Sequence, residues 1–402
     1  MEWRSVKYNS TNNIPPPVYG HCISLIRKDK LLLFGGYGSS SVVNDQNLEP
    51  LSLQIWEYSI EKKEWSLKEY SCKEDFNTLM KNQLSDKNQR VPKETIGGHS
   101  LQLVAGKLFC YGGFVSEKGS SNDLFLFDSQ DKSWYQNSQI HMKDVPPPSF
   151  DHKTVVYKGS VVLVIGGWDL ENYFRDVHMI KVREFRSLRL VDYSNENFEI
   201  EELPKKEEQE KNQTKKKSTL QNSEKNQKFK SKQQEQLLNY QWEKTTPTGI
   251  TPVLRGFSAT IHKNMVFVFG GIKKNSQKFS NDIWILHIND SGEKLVCIWN
   301  KLDDVKGEKP SPRAYHSACI IDTKLIIFGG IGERNQCLND LYIFNLQKMV
   351  WKKCNIFGYV LPSPRYHHTF TKINDQKLII FGGKGSNGKA LNDMFELVVL
   401  RW

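Results

Sequence analysis

The sequence predicts an all-β chain in which six blades of four short strands each close into a ring. Three observations carry that expectation. An apolar run ending in two glycines recurs six times along the 402 residues, a Trp follows most of these runs at a regular distance, and Gly, Pro and Asn-Asp turns cut the chain into segments of about five or six residues. Four such strands per repeat, at a period near 50 residues, build one sheet of a radial array rather than an open sheet.

The second strand of each blade is the clearest element. It reads LLLFGG to Gly36, LFCYGG to Gly113, VVLVIGG to Gly167, VFVFGG to Gly271, LIIFGG to Gly330 and LIIFGG to Gly383. The third strand follows an Asp placed 9 to 11 residues later, at Asp123, Asp176, Asp282, Asp340 and Asp393, four times preceded by Asn. The fourth strand holds a Trp, 11 residues past the Asp at Trp134 and Trp351, with Trp65, Trp242 and Trp299 as counterparts. The first strand starts at a His or its replacement, 16 to 18 residues beyond the Trp: His21, His152, Ser258, His316 and His368, with His99 after a longer spacer.

The double glycine after an apolar strand, the bulky residue behind it and the spaced Trp resemble the kelch repeat. The resemblance implies a six-bladed β-propeller whose strands a to d run outwards from the axis. The last copy stops at Trp402, 9 residues past Asp393, with no room for strand d, whereas Trp3 stands 18 residues before His21. The N-terminal strand around Trp3 is therefore expected to complete blade six and remove an open sheet edge. On that expectation no further domain precedes the ring.

Residues 1–402 are thus expected to form a single ring with two interruptions. One is a surface loop over 66–95 between blades one and two. The other is a Lys/Glu/Gln-rich insert over 184–240 within blade three, whose residues 205–236 have too little apolar content to fold. A shorter excess precedes strand c of blade one.

Charge points to a partner only after it is located. The net charge is +11, but Lys205 to Lys232 holds ten Lys against four Glu and supplies +6 of it. Basicity concentrated in one insert does not describe a nucleic-acid surface. No apolar run approaches the roughly 18 residues of a spanning helix, and no membrane span is expected. Seven cysteines without a C-x-x-C pair argue for a reduced, cytoplasmic compartment rather than a disulfide frame or zinc site.

Enzymatic signals are weak. The recurring histidines occupy one position of a structural repeat and are expected to pack, and there is no phosphate loop, G-x-S-x-G or H-E-x-x-H. No cofactor or metal is expected. In alternating strands the d–a and b–c loops share one face, and the charge of the b–c loops divides there. Blades one to three carry Asp45, Glu49, Glu117, Lys118, Asp169, Glu171 and Arg175; blades four to six carry Lys273, Lys274, Lys278, Glu333, Arg334, Lys384 and Lys389. The halves sum to −3 and +5. Arg255, Arg313 and Arg365 fall three residues before the His position of blades four to six, where blades one to three have Val18, Ile96 and Ser149.

These residues suggest a basic crescent that captures an acidic segment of a protein partner. Kelch relatives that bind peptides hold acidic groups with loop-face arginines, so the resemblance implies a non-enzymatic interaction module: a scaffold or adaptor of a cytoplasmic assembly, with the cytoskeleton as one such setting. The competing account of the arginines is internal pairing with a neighbouring backbone or carboxylate. The alternative functions are a substrate-recognition subunit of a ubiquitin ligase and a kelch-fold small-molecule enzyme.

Overall fold

The computed structural model describes residues 1–9, 13–38, 55–68, 71–73, 96–115, 118–128, 133–137, 143–182, 242–291 and 294–400. The insert over 184–240, most of the 66–95 loop, and Asp45, Glu49 and Glu117 lie outside them.

Six antiparallel blades form in sequence order. Blade one takes Cys22–Arg27, Lys30–Phe34, Ile55–Ser59 and Glu64–Lys68 as strands a to d. Blade two takes Ser100–Val104, Lys107–Val115, Gly119–Asp128 and Ser133–Asn137. Blade three takes Lys153–Tyr157, Val161–Ile165, Val177–Lys181 and Trp242–Thr245. Blade four takes Ser258–His262, Met265–Phe269, Ile283–Asp290 and Leu295–Leu302. Blade five takes Ser317–Ile321, Lys324–Gly332, Cys337–Asn345 and Val350–Lys353.

Blade six closes the ring as the Trp3 spacing requires. Its strands a to c are Thr369–Asn374, Lys377–Phe381 and Met394–Val398, and its strand d is Glu2–Ser5 from the other end of the sequence. Trp3 pairs with Leu397 and packs on Phe328 of blade five, ring centroids 5.1 Å apart. It is 1% exposed.

The core is a set of wedges between blades. Leu31, Trp65 and Phe381 fill the wedge between blades six and one, and Val155, Phe257 and Trp299 that between three and four. Trp3, Phe328 and Leu378 fill the wedge between five and six. Apolar strands b are buried on both sides because a blade has a neighbour on each.

The repeat's turn residues have specific duties. Gly329 and Gly330 adopt φ of 63° and 100°, and the register of strand b shifts there. A Cβ on Gly330 would meet the Ala314 carbonyl oxygen at 2.7 Å and His316 Cβ at 2.8 Å, so the pair lets strand b turn against the start of strand a. The Asn of each Asn-Asp pair reaches a proline carbonyl in the next d–a loop. Asn122 donates to Pro146, Asn281 to Pro310, Asn339 to Pro362 and Asn392 to Pro15, at 2.9 to 3.5 Å.

One feature is not visible in the repeat pattern. The d–a connection adds a short parallel strand outside strand d of the following blade: Thr248–Gly249 beside Ile298–Trp299, Lys306–Gly307 beside Val350–Trp351, and Ser71–Lys73 beside strand d of blade two. Phe357 bridges Glu2 in the same way. Gly307 has φ 86°, and a Cβ there would collide with the Trp351 carbonyl oxygen. At these four junctions the added strand latches one blade to the next and covers its outer edge.

Candidate interaction face

The residues ahead of strand a pair with those behind the double glycine. Val18–Tyr19 pairs Tyr37–Gly38, Leu254–Arg255 pairs Ile272–Lys273, Arg313–Ala314 pairs Ile331–Gly332, and Arg365–Tyr366 pairs Lys384–Gly385. In blade three Phe150 bridges Trp168. The d–a and b–c loops therefore do share one face. The next residue inwards turns with positive φ in each blade: Gly20, Gly98, Asp151, Gly256, Tyr315 and His367. Backbone hydrogen bonds run from blade to blade through this tier, from Gly98 N–H to Gly20 O at 3.0 Å, Gly20 N–H to His367 O at 3.0 Å, and His367 N–H to Tyr315 O at 3.0 Å.

Just beneath it lie the histidines. His21, His99, His152, His316 and His368 are buried and bridge neighbouring blades. His152 meets Ser100 Oγ at 3.0 Å, His316 meets Ser258 Oγ at 2.8 Å and His21 meets Thr369 Oγ1 at 3.3 Å, while Ser317 Oγ donates to the His368 carbonyl. Burial pushes His21 and His152 down to about 3 and His99 to about 4. They are neutral packing groups spread around the ring. No cluster of three or more His, Cys, Asp or Glu that could hold a metal occurs among the described residues.

The pairing register corrects the alignment of blade four. Leu254, not Arg255, stands where blades five and six have Arg313 and Arg365, and Phe257, not Ser258, replaces the His. Ser258 is the partner of His316.

Arg313 and Arg365 do not belong to an exposed crescent. Both are 0% exposed. Arg313 donates to Asp340 at 2.5 and 2.9 Å, to the Gly329 carbonyl at 3.1 Å, and to the Ser311 carbonyl and Oγ at 3.1 and 3.0 Å. Arg365 repeats this with Asp393, Gly382 and Ser363. A guanidinium has five N–H groups, and all are used internally. In blades five and six these arginines clamp Asp340 and Asp393, at the start of strand c, to the double-glycine turn.

Arg255, one residue further on, lies at the surface. Its guanidinium stacks over the Trp168 ring of blade three at 4.0 Å, and its Nε is buried without a hydrogen-bond partner. Lys273 is ion-paired with Asp282 at 2.8 Å, and Asp282 also takes Lys301 at 3.3 Å. Although burial works in the opposite direction, the Lys273 hydrogen bond helps hold the Asp282 carboxyl below its usual range. Lys274, Lys278, Lys389 and Arg334 are exposed, and none has an acidic partner among the described residues. Lys384 Nζ lies 5.1 Å over the Tyr19 ring.

Composition and charge counting missed an aromatic belt at this mouth. Tyr19 lies beside Tyr37 and His367, Tyr315 stacks on His367 at 4.0 Å, and Phe150, Trp168 and Tyr173 form a run on blade three. Burial pushes the Tyr315 phenol far up, reinforced by the Asp151 carboxylate. The face thus combines flat aromatic surface with unpaired cations, an arrangement suited to holding side chains of an acidic peptide.

Comparison with known proteins agrees with this architecture. The sequence matches the family described as KLHDC2/KLHL20/DRC7 Kelch-repeats domain over residues 1–192 and 222–402. It is 33% identical over 153 residues to tip elongation aberrant protein 1 of Schizosaccharomyces pombe, covering 36% of this chain and 12% of that protein. It is 34% identical over 160 residues to the dynein alpha chain of the flagellar outer arm of Chlamydomonas reinhardtii, covering 39% and 3%. The chain thus corresponds to a small part of each of these two relatives. Mouse kelch domain-containing protein 1 is 23% identical over 385 residues, covering 92% of this chain and 76% of that one. A solved structure described as YjhT superposes with a TM-score of 0.57 at 14% identity, covering 95% of both chains, a likeness of fold. Six blades, the double glycines and the family match over both halves agree: the chain belongs to the kelch-repeat β-propellers.

Proposed function

We propose that the chain is a non-enzymatic scaffold or adaptor subunit of a larger cytoplasmic assembly that docks an acidic segment of a protein partner on its d–a/b–c loop face. The observation that carries this is Arg255, whose partly exposed guanidinium lies over Trp168 with no carboxylate partner among the described residues. Lys274, Lys278, Lys384, Lys389 and Arg334 supply further positive charge on the same set of loops, whereas Arg313 and Arg365 support the face from within. Charge-assisted contacts to carboxylates would satisfy the free donors, and the aromatic belt would cover the apolar parts of the segment.

A cytoskeletal setting is in keeping with the names of two relatives, one a tip elongation protein and one a flagellar dynein chain. The test is quantitative affinity purification from native cells with the wild-type chain and a Lys274→Glu/Lys278→Glu/Lys389→Glu variant. A partner with an acidic segment should be enriched by the first and lost from the second. An unchanged partner set with the variant contradicts the proposal.

A further inference from the structure

The wedge between blades five and six opens at its outer end into a cleft of about 420 Å³. Met1, Ile343, Val350 and Cys354 give it an apolar floor, and Lys324, Lys348 and Lys352 stand around it. The lysines come from separate places: Lys324 opens strand b, Lys348 sits in the c–d turn, and Lys352 lies on strand d. Lys324 is opposite Asn345, which is opposite Val350, so strands b and d flank strand c. Their backbones are therefore about 10 Å apart, two inter-strand spacings.

Among the described residues no Asp or Glu lines the cleft. Lys353, next to Lys352 on strand d, points to the other face, over the Tyr342 ring at 5.9 Å and 3.9 Å from Glu308. Lys348 and Lys352 have no acidic partner among the described residues. Three residues beyond Cys354, Phe357 bridges to Glu2 next to Met1 and is 65% exposed, adding apolar surface at the rim.

We propose that this cleft docks an acidic amphipathic segment of a partner protein, its apolar side chains on the floor and its carboxylates on the lysines. Charge selects this occupant. The chain's own Lys205 to Lys232, with ten Lys and four Glu, would be repelled. A second copy would bring the same lysines against their likes. One small anion would meet a single ammonium, whereas cations spread over strands b and d and the c–d turn match several carboxylates on one segment. The a–b and c–d turns that carry Lys324 and Lys348 lie opposite the loop face, so this site is independent of the one around Arg255.

The probe is a fluorescein-labelled synthetic peptide of about 16 residues with Leu at i, i+3, i+4 and i+7 and Glu elsewhere, followed by fluorescence anisotropy on the full chain. Saturable binding is expected, at least tenfold weaker for Lys348→Glu/Lys352→Glu and unchanged for Lys274→Glu/Lys389→Glu. The bound peptide should also slow iodoacetamide alkylation of Cys354, read by peptide mapping. Circular dichroism establishes that both variants fold. Equal binding by wild type and the Lys348/Lys352 variant, or no protection of Cys354, overturns the proposal. Phosphatidylserine vesicles and free oleate form the other arms; if either binds in a Lys348/Lys352-dependent manner while the peptide does not, the cleft belongs to a lipid and the proposal fails.

Discussion

Replacing Trp3 by Ala should destabilise the whole ring, although the residue lies three positions from the start of the sequence. The side chain is 1% exposed and touches rings from two blades: Phe328 of blade five at 5.1 Å, and Phe370 and Phe395 of blade six, each at 6.5 Å. Its strand also contributes the ladder to Met394–Val398. Truncating a buried Trp costs about 3–5 kcal/mol. With an m value of about 4 kcal/mol/M in urea, above the 1–3 of small proteins because this chain is longer, the midpoint should fall by about 1 M. Trp351→Ala is the internal standard, since Trp351 is the equivalent residue of blade five, also 1% exposed and packed on Phe269 and Phe344 at 4.9 Å. Urea titrations followed by circular dichroism should give the two variants similar losses. A Trp3→Ala midpoint equal to wild type beside a lowered Trp351→Ala midpoint would refute closure through this strand, because frayed terminal residues contribute little.

Three further outcomes follow from named contacts. Asp393→Ala leaves the fully buried Arg365 guanidinium with only neutral oxygens and should cost about 3 kcal/mol, measurable as a lower melting midpoint, whereas a loss near zero would show that the clamp is not structural. Gly307→Ala forces a Cβ onto the Trp351 carbonyl at φ 86°, so thermal unfolding should shift down by several degrees; an unchanged melt would mean that the parallel latch is not held tightly. Because burial lowers His21, His99 and His152 to between about 3 and 4 in the folded chain, unfolding takes up protons below the ordinary His value near 6.5. The contribution of these neutral histidines is complete above about pH 6.5 and is lost, by up to about 1.4 kcal/mol per His per pH unit, as pH falls towards 4. His99→Phe, copying Phe257 of blade four, should flatten that decline, and an identical pH profile would argue against it.

The ring was legible because its signals are local and repeated. Six double glycines mark where strand b turns, and the Trp residues mark strand d, including Trp3. What escaped was of two kinds. The parallel latches are two or three residues long, as at Lys306–Gly307, too short to show periodicity, and their glycines look like any loop glycine. The fate of a charge also depends on contacts that spacing does not contain: for Arg313 and Arg365 the sequence leaves a surface role and internal pairing open, and in the structure Asp340 and Asp393 pair them in the interior.

In blade four, Ser258 lies 16 residues past Trp242, within the spacing of the other repeats, so spacing alone aligns it with the His and places Arg255 one position off. Aligning the repeats on Ser258-Ala259 and Ser317-Ala318 would have given Phe257 and Leu254. The same alignment, carried to the residue behind each double glycine, lines up Tyr37, Phe114 and Trp168 and would have disclosed part of the aromatic belt.

Site-specific photo-crosslinking in native cells tests the central claim, that the loop face holds an acidic partner segment, most directly. A photoreactive phenylalanine analogue at Leu170 or Tyr366 reports on that face, and one at Lys158 or Lys263, in the a–b turns of blades three and four, on the opposite one. The account predicts crosslinks from Leu170 and Tyr366 to Asp/Glu-rich peptides, diminished by Arg255→Glu. Crosslinks arising only from Lys158 and Lys263, or loop-face crosslinks indifferent to Arg255→Glu, would contradict it.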